Sequence, residues 1–364
     1  MGAAVRIQEF TAQGFRNLAG VRLWPDPGAN VLLGSNGQGK TSALEAVDYV
    51  ASLRSFRGAT RAQLLGHESP MATLGLRVDA PTGAREYRVR LTRTAREVLL
   101  DGKRPERAVD YFGSAACVAF QPGDLDLVRG SPELRRRLLD RVLLRALDGY
   151  GEALKSYTRA LKARNALLRE RTPEARAVQS YDYPLARYGS ALTRARGSLA
   201  AELREAVARA LGALDLTGAP VELAYRPRGA PDAEAFTRML AEALPQDLAR
   251  RTSTVGPHAD DLALAWGGKP ARVVASQGQT RALALALRLA ELHAVAARNQ
   301  CLPVLLLDDV SSELDRPRTE RLFAYVAALG AQLWVTTTDP SIAALVPRAR
   351  LFQVRDGRVS PEHV

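Results

Sequence analysis

The sequence predicts an α/β fold into which a helical segment is inserted. A short apolar strand ends at Leu33 and leads into the glycine-rich stretch Gly34–Thr41, which a helix-forming segment follows. From Ser276 onward, apolar strands and helices alternate again, as in a parallel α/β core. Between these parts, apolar residues recur at helical spacing from Leu134 to Leu214, which indicates long amphipathic helices.

Residues 1–128 are expected to form the N-terminal part of the α/β domain. Apolar and polar residues alternate along several short stretches, the pattern of half-buried strands, and Val98–Lys103 has the pattern of a hairpin. These strands suit a mixed sheet beside the layer of the glycine-rich loop. The other predicted strands are Val5–Phe10, Val21–Trp24, Leu74–Val78 and Tyr87–Leu91.

Residues 129–250 are expected to form the helical insertion, an arm, and residues 251–364 the rest of the α/β domain. Ser131 can cap a helix with Pro132 in its first turn, and the apolar positions of this run continue to Leu168. A returning helix over Leu185–Leu214 is expected to pack antiparallel against it. Further predicted elements are strands at Val221–Tyr225, Leu302–Leu307 and Leu333–Thr336, and helices at Asp232–Leu248, Ser276–Arg298 and Arg316–Leu329.

The charge of the chain points to a polyanionic partner. The net charge is +12, and residues 129–196 contain 16 basic and 7 acidic residues. A basic module attached to a nearly neutral remainder is typical of nucleic-acid-binding proteins, and a solvated helix face with a positive bias is the alternative. No stretch approaches the ~20 apolar residues of a membrane span. Cys117 and Cys301 lie in apolar runs, so buried free thiols in an intracellular protein are expected.

The glycine-rich stretch has the spacing of a phosphate-binding loop. Its glycines let backbone N–H groups converge on an anion, and the positive end of the following helix points at the same place. Lys40 would supply a charge for the β- and γ-phosphates of a nucleoside triphosphate, and the Thr41 hydroxyl a ligand for Mg²⁺. A turn that only resembles such a loop is the alternative. The predicted nucleotide-binding residues are Gly34, Ser35, Asn36, Gly37, Gln38, Gly39, Lys40 and Thr41.

Two carboxylates follow the apolar strand Val304–Leu307. Asp308, at the strand end near the loop, is expected to hold Mg²⁺ through water. Asp309 should point the other way, because side chains alternate along a strand, and would act as the general base for the attacking water. A strand-to-turn Asp pair without a catalytic role is the alternative.

Three further segments complete a pattern known from ATP-binding-cassette enzymes. Ser276, Gly278 and Gln279 begin a helix, and such a sequence contacts the γ-phosphate of ATP that is bound to the other protomer. Gln121 matches the position of a glutamine that joins Mg²⁺ and the water to the helical region, although a polar turn residue is the alternative. Ser312–Asp315 resembles the segment that follows the carboxylates in this class. This order along the chain predicts an ABC-type head that sandwiches ATP between two copies.

One departure from the cassette pattern affects the expected rate of hydrolysis. Cassette ATPases usually place a histidine after the strand that follows the paired carboxylates, whereas threonines occupy Thr336–Thr338 here. The second carboxylate is also Asp309 rather than glutamate. A slow switch is therefore expected instead of rapid turnover.

The chain resembles the RecF recombination-mediator family from end to end, with its motifs in the same order and at matching spacing. One position departs from the family pattern, since Ala259 stands where arginine is usual. The segments that carry the resemblance are Phe15–Leu18, Gly34–Thr41, Gly130–Asp140, Val255–Leu262, Ala275–Arg281, Leu306–Val310 and Glu313–Asp315.

The resemblance implies a bacterial DNA-repair protein with a head similar to those of SMC and Rad50 proteins and only a short arm. It implies ATP and Mg²⁺ as cofactors, weak DNA-dependent ATPase activity and an ATP-dependent homodimer. It also implies binding to duplex DNA and duplex/single-strand junctions, action with RecR and RecO in loading RecA, and a location at the cytoplasmic nucleoid, away from membranes.

The expected DNA contacts lie on both the arm and the head. The arm candidates are Arg159, Lys162 and Arg169, and the head candidates are Arg54, Arg57 and Arg61. A nucleotide-binding subunit of an ABC transporter is the alternative function, but such a protein would keep the histidine and lack a basic arm. An SMC-type partition ATPase is disfavoured, because 364 residues leave no room for a long coiled coil.

Overall fold

A computed structural model describes residues 3–112, 115–215, 220–309, 314–346 and 348–362. Contacts within the chain divide it into two compact units. The first unit comprises Met1–Leu125, Ala206–Gly218 and Ser276–Val364, and the second unit comprises Asp126–Glu205 and Ala219–Ala275.

These units differ from the predicted boundaries at residues 251–275, which group with the second unit. The reason is strand pairing: Asp261–Trp266 forms an antiparallel pair with Val221–Arg226, which lies 40 residues earlier. The last turns of the long helix Asp182–Ala213, from Ala206, group with the first unit.

The described strands are β1 (Arg6–Gln13), β2 (Val21–Leu23), β3 (Ala29–Leu33), β4 (Met71–Ala80), β5 (Gly83–Thr92), β6 (Arg96–Leu100), β7 (Cys117–Phe120), β8 (Val221–Arg226), β9 (Asp261–Trp266), β10 (Lys269–Pro270), β11 (Val304–Leu307), β12 (Leu333–Thr337), β13 (Arg350–Arg355) and β14 (Arg358–Pro361).

The described helices are α1 (Lys40–Ser52), α2 (Arg61–Leu64), α3 (Ala108–Phe112), α4 (Asp126–Arg129), α5 (Pro132–Ala146), α6 (Tyr150–Leu168), α7 (Ala175–Gln179), α8 (Asp182–Ala213), α9 (Ala233–Arg250), α10 (Ala271–Val274), α11 (Gln277–Asn299), α12 (Arg316–Leu329) and α13 (Pro340–Ala343).

Two sheets build the first unit. One has the order β14-β13-β3-β12-β11-β7, and its strands are parallel except β14, while the other is antiparallel with the order β2-β1-β4-β5-β6. In the first sheet Leu33 lies opposite Thr337, and Leu307 lies opposite Val335 and Phe120. The carboxyl ends of β3, β12, β11 and β7 therefore meet at one edge.

Helix α1 lies between the two sheets and contacts strands of both. Its residues from Ser42 to Ala51 are all buried. They include Glu45, whose carboxylate accepts two hydrogen bonds of 3.0 Å from the Arg16 guanidinium. A buried carboxylate needs such a partner, and this pair ties the helix to the loop after β1.

The second unit combines helices with the small sheet β10-β9-β8. The predicted helical run up to Leu168 consists of two helices, because the chain breaks at residues 147–149 and Gly149 takes a left-handed φ of 75°. Helices α6 and α8 run antiparallel as predicted, since Arg196 reaches Tyr150 at one end (3.3 Å) and Arg164 reaches Asp182 at the other (3.3 Å).

The segment before β9 is hydrogen-bonded to several elements of the second unit. Asp260 is fully buried and accepts hydrogen bonds from the Arg228 N–H (2.7 Å), the Arg196 guanidinium (3.1 Å) and a tyrosine hydroxyl. His258 lies between the Tyr157 hydroxyl (2.7 Å) and the carbonyl of residue 253 (3.0 Å). Because a carbonyl only accepts, Nε2 of His258 carries the proton and Nδ1 accepts from the tyrosine.

Cys117 and Cys301 are both buried, and neither forms a disulfide in the described part of the chain, as predicted. No helix in the described part of the chain is long and apolar enough to cross a membrane.

Candidate functional site

The glycine-rich loop is held in the shape that a phosphate site requires. Gly37 and Gly39 take left-handed φ angles of 80° and 113°, which favour glycine. A side chain at Gly34 would meet the Val354 carbonyl oxygen at 2.3 Å, so this position also excludes larger residues. Helix α1 begins at Lys40, within the last two residues of the loop segment, and the first N–H groups of a helix have no partner inside it.

Lys40 lies across the start of the loop and is largely buried. Its ammonium donates to the carbonyl oxygens of Gly34 (2.7 Å) and Ser35 (2.8 Å). Burial lowers the pKa of Lys40, while the charges of Asp309 and Asp308 act in the opposite direction. The cation and both carboxylates of the prediction are therefore close together.

A hydrogen-bond network joins the loop to the end of β11. The Thr41 hydroxyl donates to Oδ1 of Asp308 (2.9 Å), and the Thr336 hydroxyl donates to the same oxygen (2.7 Å). The Asp309 N–H in turn donates to the Thr336 hydroxyl (2.9 Å). Thr336, on the neighbouring strand β12, thus connects both carboxylate residues.

Asp308 is suited to hold a cation. Burial raises the pKa of its carboxyl, and the hydrogen bonds from Thr336 and Thr41 oppose that shift. Its oxygen and the Thr41 hydroxyl are the hard ligands that Mg²⁺ prefers. Among the described residues no group of three or more His, Cys, Asp and Glu side chains forms a metal site. Mg²⁺ in nucleotide sites is usually bound by one or two protein groups together with water and phosphate oxygens.

The direction of Asp309 has a different origin from the predicted one. Strand β11 ends at Leu307, so the alternation of side chains does not extend to either carboxylate. Asp309 instead takes a left-handed φ of 51°, and its N–H is fixed by Thr336. Its side chain is only partly buried, whereas Asp308 is almost fully buried. The two carboxylates therefore differ in environment.

Gln121 lies just past the end of β7, beside the end of β11, but in the described part of the chain no hydrogen bond joins its side chain to Asp308 or Thr41. The amide donates to the Phe56 carbonyl (2.8 Å), and the Gln121 N–H donates to Asp124 (3.0 Å). Asp124 also accepts from the Arg288 guanidinium (2.9 Å), which belongs to α11. The glutamine segment is thus linked to the helix that begins after Ser276.

The predicted trans-acting residues lie together at the start of α11. Ser276 and Gln279 form a reciprocal capping box, in which the Ser276 Oγ accepts from the Gln279 N–H (3.2 Å) and the Gln279 side chain accepts from the Ser276 N–H (2.8 Å). Ser276 and Gly278 are exposed. No hydrogen bond joins this group to residues 34–41 in the described part of the chain. The predicted following segment includes Ser312 and Glu313, which lie outside the described residues.

Two supports of the loop were not predicted as site residues. The Asn17 amide donates to the Gly37 carbonyl (2.9 Å) and accepts from a serine on α1. The turn between β13 and β14 holds Gln38, which accepts from the Asp356 N–H (2.6 Å) and the Gly357 N–H (2.9 Å). Asn17 belongs to a segment that the family resemblance includes, and Asp356-Gly357 is a recognisable turn sequence.

The glycine-rich loop and the turn between β13 and β14 line a cavity of about 350 Å³.

The head candidates for DNA binding are accessible to a ligand, and one of them lies near the paired carboxylates. Arg54, Arg57 and Arg61 are all exposed. The positive charge of Arg57 opposes the rise in the pKa of Asp308 that burial causes, so this arginine lies near the carboxylates.

The arm candidates lie along one face of α6. Arg159, Lys162 and Arg169 are exposed, and with Lys155 they fall within a narrow stripe at 100° per residue. We call these four residues the basic stripe.

The arm is less basic at its surface than its composition indicates. Of the 16 basic side chains at residues 129–196, four are buried in the second unit, and in the same range ten exposed basic residues stand against five exposed acidic ones. Three of these buried arginines are paired with carboxylates, as Arg164 is with Asp247 (2.6 Å). The other buried arginines are Arg135, Arg145 and Arg196.

The strand order, the phosphate-type loop, the paired carboxylates and the separate Ser276 helix define the class of ABC-type ATPase heads. The family model described as RecF/RecN/SMC N-terminal domain matches residues 6–358. The DNA replication and repair protein RecF of Anaeromyxobacter sp. (strain Fw109-5) is 43% identical over 368 residues, which cover 98% of this chain and 99% of that protein. The chain belongs to the RecF family.

Solved structures agree with this assignment. A structure of the recombination mediator protein RecF-ATP in the RecFOR pathway has a TM-score of 0.88 and 27% identity, with coverage of 100% of this chain and 99% of that one. An SMC head from Pyrococcus furiosus has a TM-score of 0.56 at 15% identity, with coverage of 99% and 96%, and shows the fold alone.

Proposed function

We propose that this chain is an ATP-dependent DNA-binding protein of recombinational repair. ATP binding joins two copies into a dimer that holds duplex or gapped DNA. Slow hydrolysis of the ATP then separates the dimer and releases the DNA. The observation that carries the proposal is the Thr41–Asp308–Thr336 network beside a phosphate-type loop in a chain of the RecF family. The likeness to RecF-ATP over the whole chain supports ATP as the nucleotide.

Each predicted residue has a role in this proposal. The Gly34–Thr41 backbone and Lys40 bind the phosphates, and Asp308 and Thr41 hold Mg²⁺, which neutralises charge on the phosphates when bound. Asp309 accepts a proton from the attacking water. Gln121, whose amide now contacts Phe56, would turn toward the ion in the nucleotide-bound state.

Dimerisation through Ser276 follows from its exposure and its free donor. The Ser276 oxygen already accepts from the Gln279 N–H, but its own proton remains available. Together with the N-terminus of α11 it can bind a phosphate of a nucleotide held by a second copy. The same exposure leaves the group accessible to that copy.

Slow turnover is supported by the threonines at Thr336–Thr338, where cassette ATPases usually have a histidine. A threonine hydroxyl does not titrate near neutral pH, so it cannot exchange a proton with the water as a histidine can. In this chain the Thr336 hydroxyl is engaged by Asp308 and the Asp309 N–H. Slow hydrolysis would therefore set the lifetime of the ATP-bound dimer.

The basic stripe and the head arginines are the proposed DNA contacts, with duplex and duplex/single-strand junctions as ligands. Such contacts are made to phosphates, so the affinity should fall with salt. We further propose joint action with RecR and RecO in loading RecA, which rests on family membership alone. A transporter subunit is not favoured, because RecF relatives match this chain over its full length.

Analytical ultracentrifugation with and without ATP and Mg²⁺ tests the proposal. The wild-type chain should dimerise with ATP, and Lys40→Ala should remain monomeric because the phosphates lose their cation. Ser276→Arg should bind ATP as a monomer and fail to dimerise. ATP-dependent dimers of Lys40→Ala, or equal loss of ATP affinity in both variants, would contradict these assignments.

A further inference from the structure

The start of α8 displays an aromatic side chain that the proposed function does not use. Tyr183 is 70% exposed, which is far more than a tyrosine requires to hydrate its hydroxyl. We propose that Tyr183 and the adjacent Arg187 form a binding site for an unpaired DNA base, which stacks on the tyrosine ring. This inference rests on the proposed function and deepens it, because it assigns recognition of the single-stranded side of a junction.

A buried ion network fixes the orientation of Tyr183. The neighbouring Asp182 is buried and faces Arg164 of α6 (3.3 Å), and Arg164 is in turn bound to Asp247 (2.6 Å) and to Ser253 (2.8 Å). Successive residues of a helix point about 100° apart, so an inward Asp182 turns Tyr183 away from the core. The ring is therefore presented on an anchored helix start, which reduces the entropy that base stacking would cost.

An arginine extends the stacking surface. Arg187 lies four residues after Tyr183, one turn along the same face of α8, and is exposed. Its guanidinium lies 5.5 Å from the centroid of the Tyr188 ring, which holds the planar cation in place. Aromatic rings and guanidinium planes are the groups on which proteins stack unpaired bases without reading sequence.

The surroundings favour a nucleic acid over an apolar peptide. The other exposed large hydrophobic side chains in the described part of the second unit, Leu147, Val273 and Val274, lie on other elements, at the end of α5 and in α10. A protein partner would need neighbouring apolar groups to fill an interface core. The exposed charged residues of the segment 169–176, which precedes α8, are three arginines and two glutamates, so this segment carries a small positive net charge.

Fluorescence anisotropy with two DNA probes tests the inference. One probe is a blunt duplex, and the other is the same duplex with a single-stranded tail, both measured with ATP and Mg²⁺ at one salt concentration. Tyr183→Ala should weaken binding to the tailed probe about tenfold and leave the blunt duplex unchanged. Tyr183→Phe keeps the ring and should bind both probes like the wild type. Because Tyr183 is mostly exposed, these variants should fold normally, which circular dichroism checks.

Trp24 provides a matched control. It is also exposed, at 54%, and lies under Arg22 (5.1 Å), but Arg22 is already paired with Glu9 (2.7 Å). Trp24→Ala should therefore leave both affinities unchanged.

Three results would overturn the inference. One is unchanged binding of the tailed probe by Tyr183→Ala, and another is an equal loss on both probes. A third is a loss that appears only when a protein partner such as RecR is added, since the surface would then be a protein site. Failure of the wild-type chain to bind the blunt duplex at all would instead contradict the proposed DNA binding.

Discussion

Replacing Thr336 by valine tests whether the threonine holds the two carboxylates in place. Valine has nearly the same shape and removes only the hydroxyl. In the structure that hydroxyl donates to Asp308 (2.7 Å) and accepts from the Asp309 N–H (2.9 Å), and Thr336 is fully buried. The substitution leaves the Asp309 N–H without this acceptor and takes one donor from a buried carboxyl group.

The expected loss of stability follows from these two bonds. A hydrogen bond to a charged group contributes about 1.5–3 kcal/mol, and a neutral bond about 0.5–1.5 kcal/mol. Asp308 keeps its bond from Thr41, and the Asp309 position is partly open, so we expect a net loss of about 2–4 kcal/mol. For a unit of this size each kcal/mol lowers the melting temperature by about 2–4 °C. A loss of about 3 kcal/mol corresponds to a decrease of about 6–12 °C.

Thermal unfolding of the nucleotide-free protein, followed by circular dichroism, measures this effect. Thr336→Ser keeps the hydroxyl and should stay within a few degrees of the wild type. The same variants should differ in the pH dependence of Mg²⁺-ATP binding. Because the bond from Thr336 lowers the pKa of Asp308, its removal should move the onset of binding to higher pH.

Two outcomes would refute this reasoning. If Thr336→Val melts within about 1 °C of the wild type, the hydroxyl does not support the site. If Thr336→Ser is as unstable as Thr336→Val, the missing methyl packing rather than the hydrogen bonds explains the change.

Three further predictions concern the carboxylates and the arm. Asp309→Asn should retain ATP affinity, stall hydrolysis and accumulate as an ATP-bound dimer in sedimentation. Asp308→Asn should instead lose Mg²⁺-dependent ATP binding. An equal loss of ATP affinity in both variants would mean that the two roles are misassigned. Burial raises the pKa of Asp308 in the folded state, so its contribution to stability is present below the ordinary pKa of an aspartate and is lost as the pH rises through the raised value. Asp308→Asn should therefore raise the melting temperature of the nucleotide-free protein near neutral pH. An unchanged melting temperature would contradict the interpretation that Asp308 carries a buried charge. Neutralising Arg159 and Lys162 together should shallow the slope of log affinity against log salt by about 0.9 for each phosphate that is no longer neutralised, while the exposed control Arg93→Ala should leave the slope unchanged.

Local signals predicted many elements well. The helix predicted over Arg316–Leu329 has those bounds, because Asp315 caps it through the Arg318 N–H (3.0 Å) and Gly330 ends it in a left-handed conformation. Helix α11 begins after the capping residue Ser276, as predicted. Caps and glycine stops act over a few residues, so they are readable along the chain.

Two features of the fold were not predicted in this way. The break at residues 147–149 was missed because Leu147 continues the apolar spacing of the helix before it, although Asp148-Gly149 is a turn sequence. The grouping of residues 251–275 with the second unit depends on the pairing of β9 with β8, which is a contact between distant segments. Amphipathic spacing carries no information about which partner a strand will choose.

The candidate site shows the same division. Short motifs predict the glycine-rich loop and Asp308-Asp309 as site residues, and the structure brings Lys40, Thr41 and both carboxylates together. The sequence marks Thr336 only as a departure from the usual histidine. Its contact with Asp308 arises because β12 lies beside β11 in the sheet, which no motif records.

The sequence by itself determined the phosphate-type loop, the order of the cassette motifs, the capped helices and the membership of the RecF family. Each of these depends on residue type and spacing within short segments, or on agreement along the whole chain. Only the tertiary structure decided that Asp309 turns out of the strand direction and that Thr336 joins the two carboxylates. It also decided that four arm arginines are buried in the second unit, while the basic stripe and Tyr183 face solvent. The physical reason is that burial and hydrogen-bond partners are set by segments far apart in the chain, which meet only when the sheets and helices pack.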